Sequence, residues 1–257
     1  MRADRMPTTQ IVLAHPDQRS FNAQWAQASA DASAALGHDV IWSDLYALGF
    51  DPAERAAHYE HPAEIPFDPL KAQDHAAATA LPADVAAEVD KLRRADRIIF
   101  QFPLWWFSPP AMLKGWCDRA LAHGALHTTA ERFDTGMLRG KKALFCVTTG
   151  SSTDESTHNG KEGDVTLLLW PLAYTLRYVG MTVLQPVCVH GVHGYHRGAR
   201  ATALADRLGQ VLERQAALIA GFDALPEITF NADADFDAKG RLRADRPSVT
   251  PFIRHDP

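Results

Sequence analysis

The sequence is poor in cysteine. Its 257 residues include only Cys117, Cys146 and Cys188, which lie far apart and form no Cys-x-x-Cys pair. A sparse and odd set of this kind excludes a disulfide framework and is typical of a reducing compartment. The first ten residues carry arginines but no apolar run, so they do not resemble a secretory signal. We therefore expect a cytoplasmic protein whose thiols are buried or inert.

Long apolar runs and an excess of positive charge are also missing. Apolar stretches such as residues 165–174 are interrupted well short of the roughly 18 residues of a membrane-spanning helix. The formal net charge of −5 offers no basic face for nucleic acid. We expect neither membrane insertion nor nucleic-acid binding. A hydrophobic content of 46% is that of an ordinary globular chain with a substantial core.

The order of apolar and amphipathic segments predicts an α/β fold. Strands are predicted at residues 11–14, 39–43, 97–100, 143–147 and 181–189, and helices at residues 21–36, 82–94, 110–122, 164–178 and 196–220. When a helix joins two consecutive parallel strands, the connection crosses over in a right-handed sense, so strands that alternate with helices form a parallel sheet. The prediction is a doubly wound, five-stranded parallel sheet with helices on both faces.

Two segments fall outside this alternation. Residues 44–80 carry four prolines and lose their periodicity, which predicts a long, mostly irregular excursion that is functional or contacts a partner. Residues 226–257 are polar and irregular. We expect one domain over residues 10–220 and a C-terminal extension over residues 221–257 that packs on the surface or on a partner.

The loop after the first strand lacks the Gly-x-Gly-x-x-Gly pattern of dinucleotide-binding folds. It offers His15, Arg19, Ser20 and Asn22 instead, immediately before a helix. A helix N-terminus presents unpaired N–H groups and a positive dipole end, which suits a phosphate. Ser20 is equally suited to cap the helix. The two roles are compatible, and both stay open.

The most distinctive stretch follows the third strand. Trp105, Trp106 and Phe107 stand between Pro103 and the pair Pro109-Pro110, after which a helix begins. Ligands of open α/β sheets bind at the carboxyl ends of the strands. Stacked aromatic rings gain about 0.5–1.5 kcal/mol beyond burial, so the stretch suits a flat ligand. From the residues alone, aromatics that fill the core are an equally good interpretation.

Two further loops are expected at the same edge. Thr148, Thr149, Gly150 and Ser151 follow the fourth strand and form a small, hydroxyl-rich turn. The His-x-x-His-x-x-His series of residues 190–196 follows the fifth strand, with no cysteine or carboxylate cluster beside it. This spacing does not predict a metal site. We expect the series to border a ligand pocket instead.

Several of these segments together resemble the NAD(P)H:quinone oxidoreductase (DT-diaphorase) family of flavodoxin-like flavoproteins. The resemblance spans roughly residues 10–220 in unchanged order. It rests on Gln-Phe-Pro-Leu-x-Trp-Phe at 101–107, Pro-Ala-x-Leu-Lys-Gly-Trp at 110–116, Ala-His at 14–15, Ser-Phe-Asn at 20–22, Ser-Asp-Leu-Tyr-Ala at 43–47, Lys-Lys-Ala at 141–143, Thr-Thr-Gly at 148–150 and Leu-Trp-Pro at 169–171.

The resemblance implies a homodimer with a flavin at the carboxyl edge of each sheet, usually FAD, with FMN possible. It also implies a ping-pong reaction. NAD(P)H reduces the flavin by hydride transfer and leaves, and a quinone or a similar flat acceptor then takes two electrons in the same slot. The protein supplies stacking, orientation and hydrogen bonds, because the hydride chemistry belongs to the cofactor.

Carried over by position, the resemblance assigns the cofactor contacts. The diphosphate and adenosine side falls to His15, Ser20, Phe21, Asn22 and Arg200, and Arg19 of the same loop joins the predicted set. The isoalloxazine side falls to Pro103, Leu104, Trp106 and Phe107, and the polar edge and ribityl chain to Thr148, Thr149 and Gly150. Trp105 and Ser151, which adjoin these residues, complete the predicted cofactor-binding set. Trp106 and Phe107 also form one wall of the substrate slot. Trp105 lies outside the matched pattern and is expected to face the core or a partner subunit.

The sequence departs from the family pattern at Ser151, where the family commonly has a second glycine after Thr-Thr-Gly, and in the substrate slot. Ser156 and Glu162 stand where the family has a tyrosine and a histidine that assist charge relay, and His158 is the nearest replacement. These three are the candidate catalytic residues. His127 and Thr129 replace tyrosines that close the slot from the partner subunit. With Tyr178 and His193 they complete the predicted substrate-binding set, and they predict a more open or more polar slot.

The sequence thus predicts an FAD-dependent NAD(P)H oxidoreductase that reduces quinones or similar flat acceptors. The alternative is a flavin-bearing ancillary subunit of a membrane ion-efflux system, docked through residues 44–80 or through the C-terminal extension. A flavodoxin-type electron carrier is less favoured, because flavodoxins are shorter and strongly acidic and their first loop is rich in serine and threonine, whereas this loop begins His15-Pro16.

Overall fold

The computed structural model describes residues 5–60 and 66–256, and it has the alternating order that the sequence predicts. The strands are β1 Thr8–Leu13, β2 Asp39–Asp44, β3 Arg97–Pro103, β4 Lys142–Thr148, β5 Thr182–Val183 and β6 Val187–Val189. The helices are α1 Phe21–Ala35, α2 Pro69–Ala78, α3 Ala83–Arg94, α4 Ala111–Ala120, α5 Val165–Leu168, α6 Trp170–Tyr178 and α7 Ala199–Ala220.

All strands pair in parallel, in the order β2-β1-β3-β4-β5, and β6 also pairs with β4. The sheet therefore has five strand positions, and the predicted doubly wound class is confirmed. The single fifth strand predicted over residues 181–189 is wrong in detail, because it is interrupted between β5 and β6. Pro186 in the gap has no N–H for a ladder, and the Gln185 N–H bonds to the Pro226 carbonyl at 2.8 Å instead.

The central strands are buried on both faces, as their continuous apolar runs require. Successive side chains along each strand point to opposite faces of the sheet and pack into two separate cores. One core packs Ile98, Phe100 and Phe102 with Trp116 of α4. The other packs Ile11 and Leu13 of β1, Ile99 of β3 and Trp25 of α1, with Ile219 of α7 on the same side. Helices therefore cover both faces of the sheet.

The excursion over residues 44–80 is more ordered than predicted. Its second half forms α2, whose first turn is capped by the Asp68 carboxylate. Its first half is fastened by the buried Arg119, whose guanidinium donates to the Asp51 carbonyl at 2.7 Å and to the Asp84 carboxylate at 2.5 Å. Residues 61–65 of the excursion, Pro62 included, lie outside the described residues.

The helix predicted over residues 164–178 is two helices, because the chain breaks at Leu169 between α5 and α6. The last helix begins at Ala199 rather than at residue 196, after Gly198 with φ +55°. Beyond α7, the extension packs on α6: Phe230 and Phe252 each lie 5.2 Å from the Trp170 ring. Within the described part of the chain, no helix is long and apolar enough to cross a membrane.

Gly115 in α4 lies where the excursion crosses the helix. A Cβ at Gly115 would lie 2.1 Å from the Pro52 carbonyl oxygen, whereas a Cβ at Gly209 in α7 would meet no atom within 4 Å. We predict that Gly115→Ala lowers the free energy of unfolding by roughly 1–3 kcal/mol, as overpacking does. Gly209→Ala is the matched control and should raise it by about 0.5–1 kcal/mol. Urea denaturation of both variants measures the difference, and equal effects would contradict the close approach at Pro52.

Candidate active site

The candidate site lies at the carboxyl edge of the sheet. The chain leaves β1 toward β2 and returns to β3 on the other side, so the topological switch point falls between β1 and β3. Open α/β sheets bind ligands at this point. The loops that follow β1, β3, β4 and β6 all emerge at this edge.

The β1 loop ends at the N-terminus of α1. Ser20 is its N-cap, and the Ser20 Oγ accepts a hydrogen bond from the Ala23 N–H at 3.1 Å, so the capping role is confirmed. Among residues 5–60 and 66–256, no acceptor is bonded to the N–H groups of Phe21 or Asn22. The first turn of a 15-residue helix thus keeps two donors for an anion.

Other polar groups of the β1 loop bond to one another. The Arg19 guanidinium pairs with the Asp17 carboxylate at 3.1 Å, and its hydrogen bonds hold the pKa of Asp17 below its usual value. The Asp17 N–H donates to His15 Nδ1 at 3.1 Å, so a neutral His15 ring carries its proton on Nε2. Arg19 is exposed at the loop surface, where a phosphate would compete with Asp17 for it.

Asn22 is placed inside the scaffold. Its Nδ2 donates to Thr148 Oγ1 at 3.0 Å, and its Oδ1 accepts from Gln101 Nε2 at 2.9 Å. All three side chains are buried. The Asn22 carboxamide thus joins α1 to the ends of β3 and β4. The amino-acid sequence alone does not reveal this role.

Residues 105–108, here called the aromatic turn, form a tight two-residue turn. The Trp105 N–H donates to the Ser108 carbonyl at 2.9 Å, and the Ser108 N–H donates back to the Trp105 carbonyl at 3.2 Å. The two central residues, Trp106 and Phe107, have φ of +50° and +61°. Turns of this kind ordinarily use Asn-Gly or Gly-Gly, because bulky side chains rarely adopt positive φ. Strain of this type is concentrated at functional sites.

The turn presents its rings to the outside. Trp106 is 94% exposed and Phe107 is 52% exposed, so the interpretation of these aromatics as core filler is wrong. Trp105 does not point to the core either: it is 42% exposed, and its ring lies 6.1 Å from the His15 ring. Pro103 ends β3, and the Leu104 N–H donates to the Thr148 carbonyl at 2.8 Å, which fixes the turn beside the β4 loop.

Hydroxyl groups hold the β4 loop in shape. The Thr149 hydroxyl donates to the Ser151 carbonyl at 3.1 Å, so its contact with His190 Nδ1 at 3.1 Å requires that the imidazole be the donor. The Ser156 hydroxyl donates to the Ser152 carbonyl at 2.9 Å and accepts from the Ser151 hydroxyl at 2.7 Å. Ser156 is buried, and its single proton is committed to the backbone.

These loops enclose a cavity of about 480 Å³, here called the edge cavity. This volume is typical of small-molecule sites. Its lining consists of Leu104, Trp106, Phe107, Thr149, Gly150, Ser151, Glu155, Ser156, Glu162, Gly163, Val165 and Leu168. Eight of these were predicted as site residues. Glu155, Gly163, Val165 and Leu168 were not, because a fold-back of residues 155–168 over the edge leaves no motif in the sequence.

Other predicted site residues lie elsewhere. His158 is exposed and does not line the edge cavity, so it is not brought together with Ser156 and Glu162 there. His127 and Tyr178 line a separate cavity of about 550 Å³ beside α6, and Thr129 lines another. The His193 ring lies 4.2 Å from that of His196, and Arg200 is exposed in the first turn of α7.

Among the described residues, no cluster of three or more metal-binding side chains is present.

The fold and the edge cavity define a flavodoxin-like protein, and comparison with known families agrees. A family model described as a flavodoxin-like fold matches residues 7–214, so the chain belongs to that family. Within it, the chain is similar to NAD(P)H dehydrogenase (quinone) 1 of Rattus norvegicus, with 36% identity over 76% of this chain and 72% of that protein. The predicted resemblance to the quinone oxidoreductases is therefore confirmed.

Two further relatives support the assignment. Ribosyldihydronicotinamide dehydrogenase (quinone) of Pongo abelii is 39% identical over 68% of this chain and 78% of that protein. The crystal structure of a candidate quinone reductase from Klebsiella pneumoniae superposes with a TM-score of 0.80, at 30% identity, over 92% of this chain and 94% of that one. The alternative of an ancillary subunit of an ion-efflux system finds no support in these relatives.

Because the aromatic turn is strained, we predict that relieving the strain stabilises the ligand-free protein and weakens the binding of a flat ligand. Replacing its central pair by Trp106→Asn and Phe107→Gly supplies residues that adopt positive φ readily. The free energy of unfolding of the ligand-free protein should rise by about 1–3 kcal/mol, while the affinity for a flat aromatic ligand should fall. Urea denaturation and ligand titration measure the two effects. A double variant that is less stable and binds unchanged would contradict the role given to the turn.

His190 predicts a dependence of stability on pH. Burial, with a smaller effect of Arg207, lowers the pKa of the His190 imidazole below its usual 6.5. The unfolded chain therefore takes up this proton first, and the free energy of unfolding falls as the pH drops from about 6.5 through the folded pKa. His190→Asn should make this decline shallower in urea melts between pH 7.5 and 5. The exposed His158→Asn is the matched control for the loss of an imidazole, and a decline as shallow in this variant as in His190→Asn would contradict the role given to His190.

Proposed function

We propose that this protein is a flavin-dependent NAD(P)H oxidoreductase that transfers two electrons to quinones or similar flat acceptors. The observation that carries the proposal is the aromatic turn: two strained, outward-facing rings stand beside the Thr149-Gly150 loop in one cavity. The names of the enzymes that the chain resembles support the same reaction.

The residues present fit a flavin. Gly150 lines the edge cavity, and a Cβ there would meet no atom within 4 Å, which leaves room for a ring system against the backbone. Trp106 and Phe107 would hold the isoalloxazine by stacking, while Leu104 and the Thr149–Ser151 loop would hold its edge and ribityl chain. The bound flavin would supply the hydride chemistry. The free N–H groups at the start of α1 would receive a phosphate.

We further propose FAD rather than FMN. The adenosine side would extend past the β1 loop toward His15, Arg19 and Arg200, all of which have exposed or partly exposed side chains. FMN would use the α1 N-terminus and leave these three side chains without a contact to the cofactor. Asn22 would contribute through the position of α1, because its carboxamide is bonded to Gln101 and Thr148.

A homodimer accounts for the predicted slot residues that lie away from the edge cavity. His127, Thr129 and Tyr178 stand on surfaces that do not contribute to that cavity in their own chain. The resemblance places the first two opposite the flavin of a second copy. We propose the same arrangement here, with residues 10–220 as the flavin-binding domain and residues 221–257 as its extension.

Of the three candidate catalytic residues, Glu162 is the one that can meet the substrate. The Ser156 hydroxyl is buried and bonded to the Ser152 carbonyl, and His158 does not line the cavity. Glu162 lines the cavity, and no described residue hydrogen-bonds to its carboxylate or pairs with it. We therefore assign Ser156 to the shape of the β4 loop rather than to proton transfer.

The direct test begins with the cofactor. Heat-released flavin is identified by mass, and NADH and NADPH oxidation are followed with menadione as the acceptor. We expect one FAD per chain and turnover that depends on the quinone. A protein that binds neither FAD nor FMN when they are added, and that oxidises neither nicotinamide cofactor, would contradict the proposal.

Gly150→Val provides the matching structural test. Its Cβ would meet no protein atom within 4 Å, and its side chain would take up space in the edge cavity. We therefore expect flavin affinity to fall at least tenfold while the stability of the ligand-free chain changes by less than about 1 kcal/mol. The control is Gly209→Val in α7, where a Cβ also meets no atom within 4 Å and the residue lies outside the edge cavity. Equal flavin affinity in both variants would place the flavin elsewhere.

A further inference from the structure

The charged side chains that line the edge cavity are all negative. Its twelve lining residues include two carboxylates, Glu155 and Glu162, and no lysine, arginine or histidine. The other lining groups are aromatic, aliphatic, hydroxyl or glycine. A ligand in this cavity therefore meets negative charge and ring faces, with no cation from the lining to offset them.

The two carboxylates differ in how far they are neutralised. Glu155 accepts hydrogen bonds from the Ser152 N–H at 3.0 Å and from the Ser152 hydroxyl at 2.8 Å, and Lys161 also acts on it. Glu162 is half-buried, and among the described residues its carboxylate has neither a hydrogen-bond donor nor a salt-bridge partner. A carboxylate without a partner in a partly enclosed site attracts a cation far more strongly than one in open water.

The aromatic turn favours the same kind of ligand. Trp106 exposes nearly all of its surface and shares the cavity with Phe107. The faces of tryptophan and phenylalanine attract a cation within about 6 Å, and the attraction grows as the pair is withdrawn from water. Two aromatic faces and an unpaired carboxylate together recognise a flat molecule that is positively charged.

We propose that Glu162 makes this site selective for flat cationic acceptors, such as phenothiazinium or protonated quinone-imine compounds, over anionic quinones. The inference rests on the proposed function and concerns which acceptors that function serves. Selection of this kind works partly by repulsion: a sulfonated quinone would bring its negative charge against Glu162 with no lining cation to receive it.

The chemistry of the transfer agrees with this selection. A neutral quinone consumes one NAD(P)H and one proton to give the hydroquinone and NAD(P)⁺. A phenothiazinium cation consumes one NAD(P)H and takes only the hydride, which gives the neutral leuco compound and NAD(P)⁺. The second reaction needs no proton from the protein. It suits a site whose Ser156 proton is bonded to the backbone.

The test compares three acceptors on the flavin-loaded protein at pH 8, where free imidazoles are neutral. They are methylene blue as the cation, menadione as the neutral acceptor and 1,2-naphthoquinone-4-sulfonate as the anion. We expect Glu162→Gln to lower the ratio of kcat/KM for methylene blue to that for the sulfonate by at least tenfold, mostly through KM. Menadione, the neutral acceptor, is the reference for both charged acceptors: its kcat/KM should fall relative to that for the sulfonate and rise relative to that for methylene blue.

Asp154→Asn is the matched control, because it removes the same charge from the same loop at an exposed residue outside the cavity. It should leave the ratio within twofold of the parent value. A binding measurement without turnover completes the design: quenching of tryptophan fluorescence by acridine orange, a flat cation, should weaken at least tenfold in Glu162→Gln and not in Asp154→Asn.

The outcomes separate this inference from the proposed function. If menadione is reduced but Glu162→Gln leaves both the acceptor ratio and acridine orange binding unchanged, the charge selection is wrong and the proposed function stands. If Glu162→Gln lowers turnover of all three acceptors alike, Glu162 serves catalysis and not selection. If no acceptor is reduced by the parent protein, the proposed function itself fails.

Discussion

The site depends on one buried carboxamide. Asn22, in the first turn of α1, bonds to Gln101 of β3 and to Thr148 of β4, so a single side chain ties the start of α1 to the two paired strands whose loops form the carboxyl edge. Buried polar groups of this kind are costly to leave unpaired, which makes the arrangement specific. The strand ladder and the bond from the Leu104 N–H to the Thr148 carbonyl hold the aromatic turn beside the Thr149-Gly150 loop, and Asn22 holds the α1 N-terminus against both. Any ligand that spans all three therefore meets a preformed surface rather than three independent loops.

The aromatic turn is the most strained part of this surface, and its strain lowers the stability of the ligand-free fold. Two large side chains adopt positive φ at adjacent positions, held by the reciprocal hydrogen bonds between Trp105 and Ser108. A chain selected only for stability would place Asn-Gly there. The strain is tolerated because the flanking residues are fixed: Leu104 bonds to the Thr148 carbonyl, and Pro110 precedes α4. A rigid stacking surface loses little entropy when a flat ligand binds.

The order of elements and the strand-end location of the site could be read from the sequence, because buried parallel strands leave continuous apolar runs such as residues 143–147. The interruption of the fifth strand at Pro186 and the helix α2 were missed. The first depends on the bond from the Gln185 N–H to the Pro226 carbonyl, and the second on the Asp68 cap. The positive φ angles of Trp106 and Phe107 were missed for a related reason: aromatic composition does not reveal φ. The role of Asn22 and the unpaired carboxylate of Glu162 follow from long-range contacts, and no local pattern encodes them.

The central claim is that the aromatic turn is a preformed surface for a flavin. A crystal structure of the protein loaded with FAD tests it most directly. The account predicts an isoalloxazine in the edge cavity, in contact with Trp106, Phe107 and Gly150, with the φ angles of Trp106 and Phe107 still near +50° and +61°. A flavin bound away from the turn would contradict the account. So would a turn that relaxes to negative φ when the flavin binds.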